Sequence, residues 1–171
     1  MTTFDYNQYF NENFLDGLSM IYDDIVANQD PTHPDCVINM SVHWILDTVQ
    51  TIGTSRAVSN AFIQRIGFII QQLIARGVPI VTGSGNSGLP VNGYPAKFRD
   101  VGNNPNIPEL IVVGAVDVNG ERSSKSNFAN YVTVYAPGKS LGEPGGGGAI
   151  SCASSVGTIS TLRAGTSLCK L

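Results

Sequence analysis

Apolar positions recur at helical spacing near the start of the chain. Phe10, Phe14, Leu15, Leu18, Ile21, Ile25 and Val26 fall on one side of a 3.6-residue repeat and predict an amphipathic helix over about residues 8–28. Asp30-Pro31-Thr32-His33-Pro34 then reads as a loop, because two prolines exclude a helix there. Cys36 to Ser41 (CVINMS) is a short apolar run with β-branched residues, the pattern of a buried strand, and residues 42–52 carry no clear period. A second helix is the plainest element: Val58, Ala61, Phe62, Ile66, Ile69, Ile70, Leu73 and Ile74 line one face, and Gly77 suits its C-terminal cap. Buried strands follow at Val78–Val81, Ile111–Val116 and Val132–Tyr135, the last two separated by a turn at Asn119-Gly120. From Pro137 the chain is Gly-rich loop, with one further strand near Ile150–Ala153 and a flexible Gly145–Gly148 run. There are no repeats.

Helices alternating with buried strands define an α/β fold, a mostly parallel sheet with helices on its faces. Residues 1–171 read as a single domain, and a partial one. Such a sheet needs helices on both faces, and the last thirty-odd residues have little to pack against. Exposed apolar sheet faces, and with them aggregation, are the expectation.

Composition narrows the partners. Hydrophobic residues make up 42 % and charged residues 13 % of the chain, about half the usual charged share, so the surface is neutral and hydrogen-bonding. The net charge is -3 and the ten Lys and Arg are scattered. Without a basic stripe, nucleic acid is not the expected partner. The longest apolar stretch, Ile66 to Ala75, is broken by Gln71 and Gln72 and is too short to span a bilayer. Met1 to Asn11 is polar and lacks an apolar signal core, so no membrane association is expected and no compartment is assigned. Cys36, Cys152 and Cys169 fit neither a zinc spacing nor a disulfide scaffold; one disulfide with a free thiol, or three thiols, both remain open. No loop of closely spaced carboxylates suggests calcium, so no metal or cofactor is expected.

Two loops could carry chemistry. Gly83-Ser84-Gly85-Asn86-Ser87-Gly88 follows a strand and spells the dinucleotide fingerprint, which requires a helix to begin within it. Leu89-Pro90-Val91-Asn92-Gly93-Tyr94-Pro95 follows instead, and its prolines and Asn-Gly turn forbid that helix. The loop remains a good ligand position at the carboxyl end of a parallel strand, with Asn86 offering a neutral amide donor. Ala164-Gly165-Thr166-Ser167-Leu168-Cys169 suits a loop-to-helix junction, where an N-cap serine is the commonest reading.

Taken together the blocks say more. Val37-Ile38-Asn39-Met40-Ser41, Gly77-Val78-Pro79-Ile80-Val81 leading to Gly85-Asn86-Ser87-Gly88, Tyr94-Pro95-Ala96, Ile111 to Asp117, Ser126-Asn127-Phe128, Tyr135-Ala136-Pro137-Gly138 and Gly165-Thr166-Ser167 stand in one order with sensible intervals. In this order the chain resembles the C-terminal part of the subtilisin-like serine protease (peptidase S8, subtilase) catalytic domain, over about residues 14–169, with the fungal branch nearest. The resemblance implies a partial subtilisin-like fold, lacking the family's N-terminal strands and its central C-terminal helix. It implies Ser167 as the nucleophile and Asn86 as a side-chain donor to the oxyanion, with the Ser167 N–H as second donor. It also implies that Ser41 to Trp44 and Gly83 to Gly85 are two backbone edges gripping an extended polypeptide substrate, so that Ser41, Val42, His43, Gly83, Ser84 and Gly85 bind it. The family is often secreted.

The departures bear on activity. A serine needs an adjacent base, itself oriented by a carboxylate. In the family order both precede this segment, and neither His33 nor His43 sits in the family's His-Gly-Thr-His context. Asp47-Thr48 comes after the INMS strand, the wrong order, with Val49 where the family has glycine. Ser41-Val42-His43-Trp44 replaces a Ser-Leu-Gly-Gly-like run, and Trp44 is expected to crowd the groove. Asn39-Met40-Ser41 matches a glycosylation sequon but lies in the buried strand. Three readings stand: a serine endopeptidase inactive as given, a non-catalytic subtilase-derived fragment or pseudoenzyme, and an unrelated α/β domain binding a ligand on the Gly83–Gly88 loop.

Overall fold

A computed structural model describes residues 6–28, 36–46, 57–58, 60–117 and 119–138. The first helix, α1, runs Tyr6–Asn28. It is followed by β1 (Ile38–Met40) and by two strands of two residues each, β2 (Ile45–Leu46) and β3 (Ala57–Val58), paired in parallel. Helix α2 spans Asn60–Ala75, then come β4 (Ile80–Gly83), a 3-10 turn at Ala96–Arg99, β5 (Ile111–Val116) and β6 (Val134–Pro137). The main sheet has the order β1-β4-β5-β6, every pair parallel. This is the α/β architecture the periodicity predicts, with three adjustments. β2 arises where no period was visible, β3 takes up Val58, which was expected on the face of the second helix, and β6 begins two residues after the expected Val132 and, like Asn39 of β1, is exposed where a buried strand was expected.

The ends of α2 follow from local chemistry. Gly77 has φ 81°, a conformation cheap only for glycine. Its N–H donates to the Ile74 carbonyl, and the Val78 N–H reaches the Leu73 carbonyl. The Leu73 and Ile74 carbonyls at the end of the helix are thereby satisfied before the chain turns into β4. The buried stripe of α2 is Ile63, Ile66, Gly67, Ile70 and Leu73. Ala61, expected on that face, is exposed, and Ile63, not expected, is buried.

Ile80 of β4 and Val112 of β5 join α1 and α2 in one core with Phe98, Ile107 and Leu110, whereas Val81, Val113 and Ala115 alternate to the opposite face and are also fully buried. Burial on both faces is why these strands read as continuous apolar runs. Trp44 closes the core near the start of α2. Its indole makes edge contacts with Phe14 of α1 (4.7 Å) and Phe62 of α2 (5.4 Å), and its Nε1–H donates to Asn11 Oδ1. At 3 % exposure Trp44 points inward. The expectation that it crowds a substrate groove is therefore corrected: main-chain bonds between Trp44 and Tyr94, in both directions, turn the indole into the core.

Candidate functional site

Parallel pairing puts the carboxyl ends of β1 and β4 side by side, with Met40 opposite Thr82. The Thr82 hydroxyl donates to the Met40 carbonyl at 3.0 Å. Ser41, Val42 and His43 therefore leave the sheet next to Gly83, Ser84, Gly85 and Asn86, at the end of an open parallel sheet where ligands characteristically bind. Ser41 and Val42 also line a cleft of about 480 Å³ between β1 and the face of α1 that carries Phe14, Gly17 and Leu18. Ser167, the Gly165-Thr166 pair before it, the Ile150–Ala153 strand, Cys152, Cys169, His33 and Asp47-Thr48 lie outside the described residues.

The loop after β4 contains no helix, as its prolines require, and it is held along residues 123–128. The Ser84 N–H donates to the Val113 carbonyl, extending the β4–β5 ladder by one residue. The Ser84 side chain is fully buried, its hydroxyl 3.4 Å from that of Ser126. The Ser126 hydroxyl in turn accepts the Ala115 N–H and donates to the Asn127 carbonyl. Beyond Ser84, the Asn127 N–H donates to the Gly85 carbonyl, the Gly88 N–H to Lys125, and the Phe128 N–H to Leu89. Two glycines make this close approach possible. Gly85 (φ 112°) and Gly88 (φ 70°) adopt conformations that disfavour side chains. A Cβ on Gly85 would collide with the Asn127 amide, and one on Gly88 with the Ser124 carbonyl oxygen. Asn86 itself is exposed at the tip.

On the other edge, His43 is half-buried, and its ring rests against Gly93 so closely that a Cβ there would lie 2.6 Å from Nδ1 and nearer still to Cε1 and Nε2. The structure thus brings Ser41–His43, Gly83–Asn86 and Gly93 into one neighbourhood. Asn127, a residue to which sequence reasoning gave no role, is what ties the Asn86 loop down. The dinucleotide reading of Gly83–Gly88 has no helix start to support it. Among the described residues there is no group of three or more His, Cys, Asp or Glu placed to hold a metal, and no helix long and apolar enough to cross a membrane.

No family model matches the chain. Curated relatives do match over part of it. Subtilisin DY of Bacillus licheniformis is 37 % identical over 76 residues, 42 % of this chain and 24 % of its own length. Alkaline elastase YaB of a Bacillus strain is 28 % identical over 101 residues, 59 % of this chain and 24 % of its own length. Subtilisin-like protease 1 of Pseudogymnoascus destructans is 33 % identical over 70 residues, 40 % of this chain and 15 % of its own length. These Bacillus and Pseudogymnoascus proteins match to similar extents, so neither branch is singled out. Among solved structures, the prenylagaramide maturation protease PagA superposes with a TM-score of 0.55 at 21 % identity, covering 92 % of this chain and 49 % of that one. The S218A mutant of the protease domain of PatA gives a TM-score of 0.56 at 21 % identity, covering 91 % and 48 %. The fold is therefore that of these proteases, and the chain spans about half the length of each.

Proposed function

We propose that this chain, a member of the subtilisin-like serine protease (peptidase S8) family, supplies the substrate-binding edges, the oxyanion donor and the nucleophile of a serine endopeptidase. In this reading an extended polypeptide lies between Ser41–His43 and Gly83–Gly85, pairing with their backbone as an added strand. Ser167 attacks the scissile carbonyl, and the Asn86 side-chain amide with the Ser167 N–H stabilises the oxyanion that forms. The observation that carries the reading is the juxtaposition of the two strand ends, with the Asn86 loop fastened by glycine-tight contacts. A donor held this way loses little in reorganisation when charge appears on the substrate oxygen. In subtilisin itself, loss of the corresponding donor costs roughly 10²–10³ in rate.

Within these 171 residues no histidine stands in the family's base context and no aspartate in its orienting context. The one described histidine, His43, lies on Gly93. An unassisted serine hydroxyl is a weak nucleophile, so the chain by itself is a binding half without a general base. A fluorophosphonate probe tests this in two arms. The 171-residue chain is expected to remain unlabelled. Joined to an upstream segment of a related protease that carries the Asp-Thr/Ser-Gly and His-Gly-Thr-His blocks, it is expected to label at Ser167 and to lose the label in Ser167→Ala. Labelling of the chain alone would show a base that this reading does not contain. A folded joined protein that stays unlabelled would leave the non-catalytic, subtilase-derived reading in its place.

A further inference from the structure

We infer that Asn127 is the positioning residue of the candidate site: its side-chain oxygen fixes the Gly85–Leu89 loop and, through it, the Asn86 amide at the end of β4. What Asn86 does rests on the protease reading above; how it is placed does not. Asn127 is 1 % exposed. Its Oδ1 accepts three bonds from the loop, from the Ser87 N–H (2.8 Å), the Ser87 hydroxyl (2.8 Å) and the Leu89 N–H (3.3 Å). Its own backbone N–H donates to the Gly85 carbonyl at 3.1 Å. One residue therefore binds the loop on both sides of Asn86, leaving that side chain exposed at the tip.

The amide's orientation follows from the donors around it. Turning it over would set the NH₂ group against two backbone N–H groups, so the oxygen must face Ser87 and Leu89. The Nδ2 group then faces Gly85, where it is buried and finds no acceptor among the described residues. A buried donor without a partner is an energetic cost and not a tie to the loop. Asn127 therefore acts through its acceptor oxygen, and its amide donor contributes nothing to holding the loop. This separates acceptance from mere filling of space. Asn127→Asp keeps an oxygen for the three donors, whereas Asn127→Leu keeps the volume and removes the acceptor.

The test is amide hydrogen exchange and side-chain NMR on the full chain, with the amides of β5 as an internal measure of global stability. Relative to β5, Asn127→Leu should speed exchange at Ser87 and Leu89 by about tenfold or more, while Asn127→Asp should stay within about threefold of the parent. The Asn86 side-chain NH₂ pair should keep its parent shifts in Asn127→Asp and move to the free-amide position in Asn127→Leu. Should Asn127→Leu not fold, Gly85→Ala pushes the amide away from the other side and should produce the same selective exchange. Unchanged Ser87 and Leu89 exchange in Asn127→Leu, or equal disruption by Asn127→Asp, would overturn the inference. The fluorophosphonate result bears only on the protease reading and leaves this test independent.

Discussion

Tyr131 shows how far a single half-buried hydroxyl can tie stability to pH. Burial, then the nearby Asp100 carboxylate and Tyr94, push its phenol up to about 12 from the ordinary 10.0. Burial and Asp100 also raise Tyr94, whose hydroxyl donates to Asn103 Oδ1 at 2.6 Å. Both folded-state values lie above the unfolded ones, so the folded protein retains protons that the unfolded chain releases. The stabilising contribution is complete below about pH 10 and is lost as pH rises towards about 12. Tyr131→Phe should flatten that alkaline fall in denaturant midpoints; an unchanged slope would show that Tyr131 is not its source. A second residue-scale expectation concerns His43 and Gly93. Gly93→Ala should destabilise by about 1–3 kcal/mol because its Cβ meets the imidazole. His43→Ala should relieve most of that cost, and the coupling is read in a double-mutant cycle of denaturant midpoints. At this scale the sequence could single out Asn86, because an exposed amide after a strand and a glycine is a local pattern. Asn127 left no such signal, since its bonds to the loop span 38 to 40 residues.

The elements divide by length. Helices of 23 and 16 residues and a six-residue buried strand repeat their pattern often enough to be read. Strands β2 and β3, two residues each, are too short to display a period and are fixed by pairing with one another. The buried stripe of α2 holds Ile66, Ile70 and Leu73 as expected, but both Ala61 and Ile63 flank it in the sequence pattern, and packing chose Ile63. Two glycines in these helices make opposite predictions from one rule. Alanine is favoured over glycine in a helix by about 1 kcal/mol. A Cβ on Gly17 of α1 meets nothing within 4 Å among the described residues, so Gly17→Ala should stabilise by up to that amount. A Cβ on Gly67 of α2 would stand 2.5 Å from Pro105 Cγ and 2.9 Å from Phe98 Cε1. Overpacking of that kind costs about 1–3 kcal/mol and outweighs propensity, so Gly67→Ala should destabilise. Thermal or denaturant melts of the two variants give the signs directly, and the same sign for both would refute the packing described around Gly67.

For the whole molecule, the fold class and one half of the candidate site were legible because both follow from strand order. Once β1 and β4 are parallel neighbours, the residues after them must meet. The direction of Trp44 was not legible, since whether a residue beyond a strand turns in or out depends on the tertiary bonds it makes with Tyr94. That direction decides a measurable quantity. Trp44 joins α1, α2 and the segment carrying the site edge, and truncating a buried aromatic of this size costs about 3–5 kcal/mol. A domain has only about 5–15 kcal/mol in total, so Trp44→Ala should unfold a large fraction of the protein or lower its denaturant midpoint sharply. Trp44→Phe keeps the ring contacts with Phe14 and Phe62, gives up the bond to Asn11, and should cost far less. Far-UV circular dichroism melts of the three proteins make the comparison. If Trp44→Ala stayed within about 1 kcal/mol of the parent, a loss that small is the mark of a surface position. The indole would then lie in the groove after all, and the peptide edge proposed at Ser41–His43 would have to be redrawn around it.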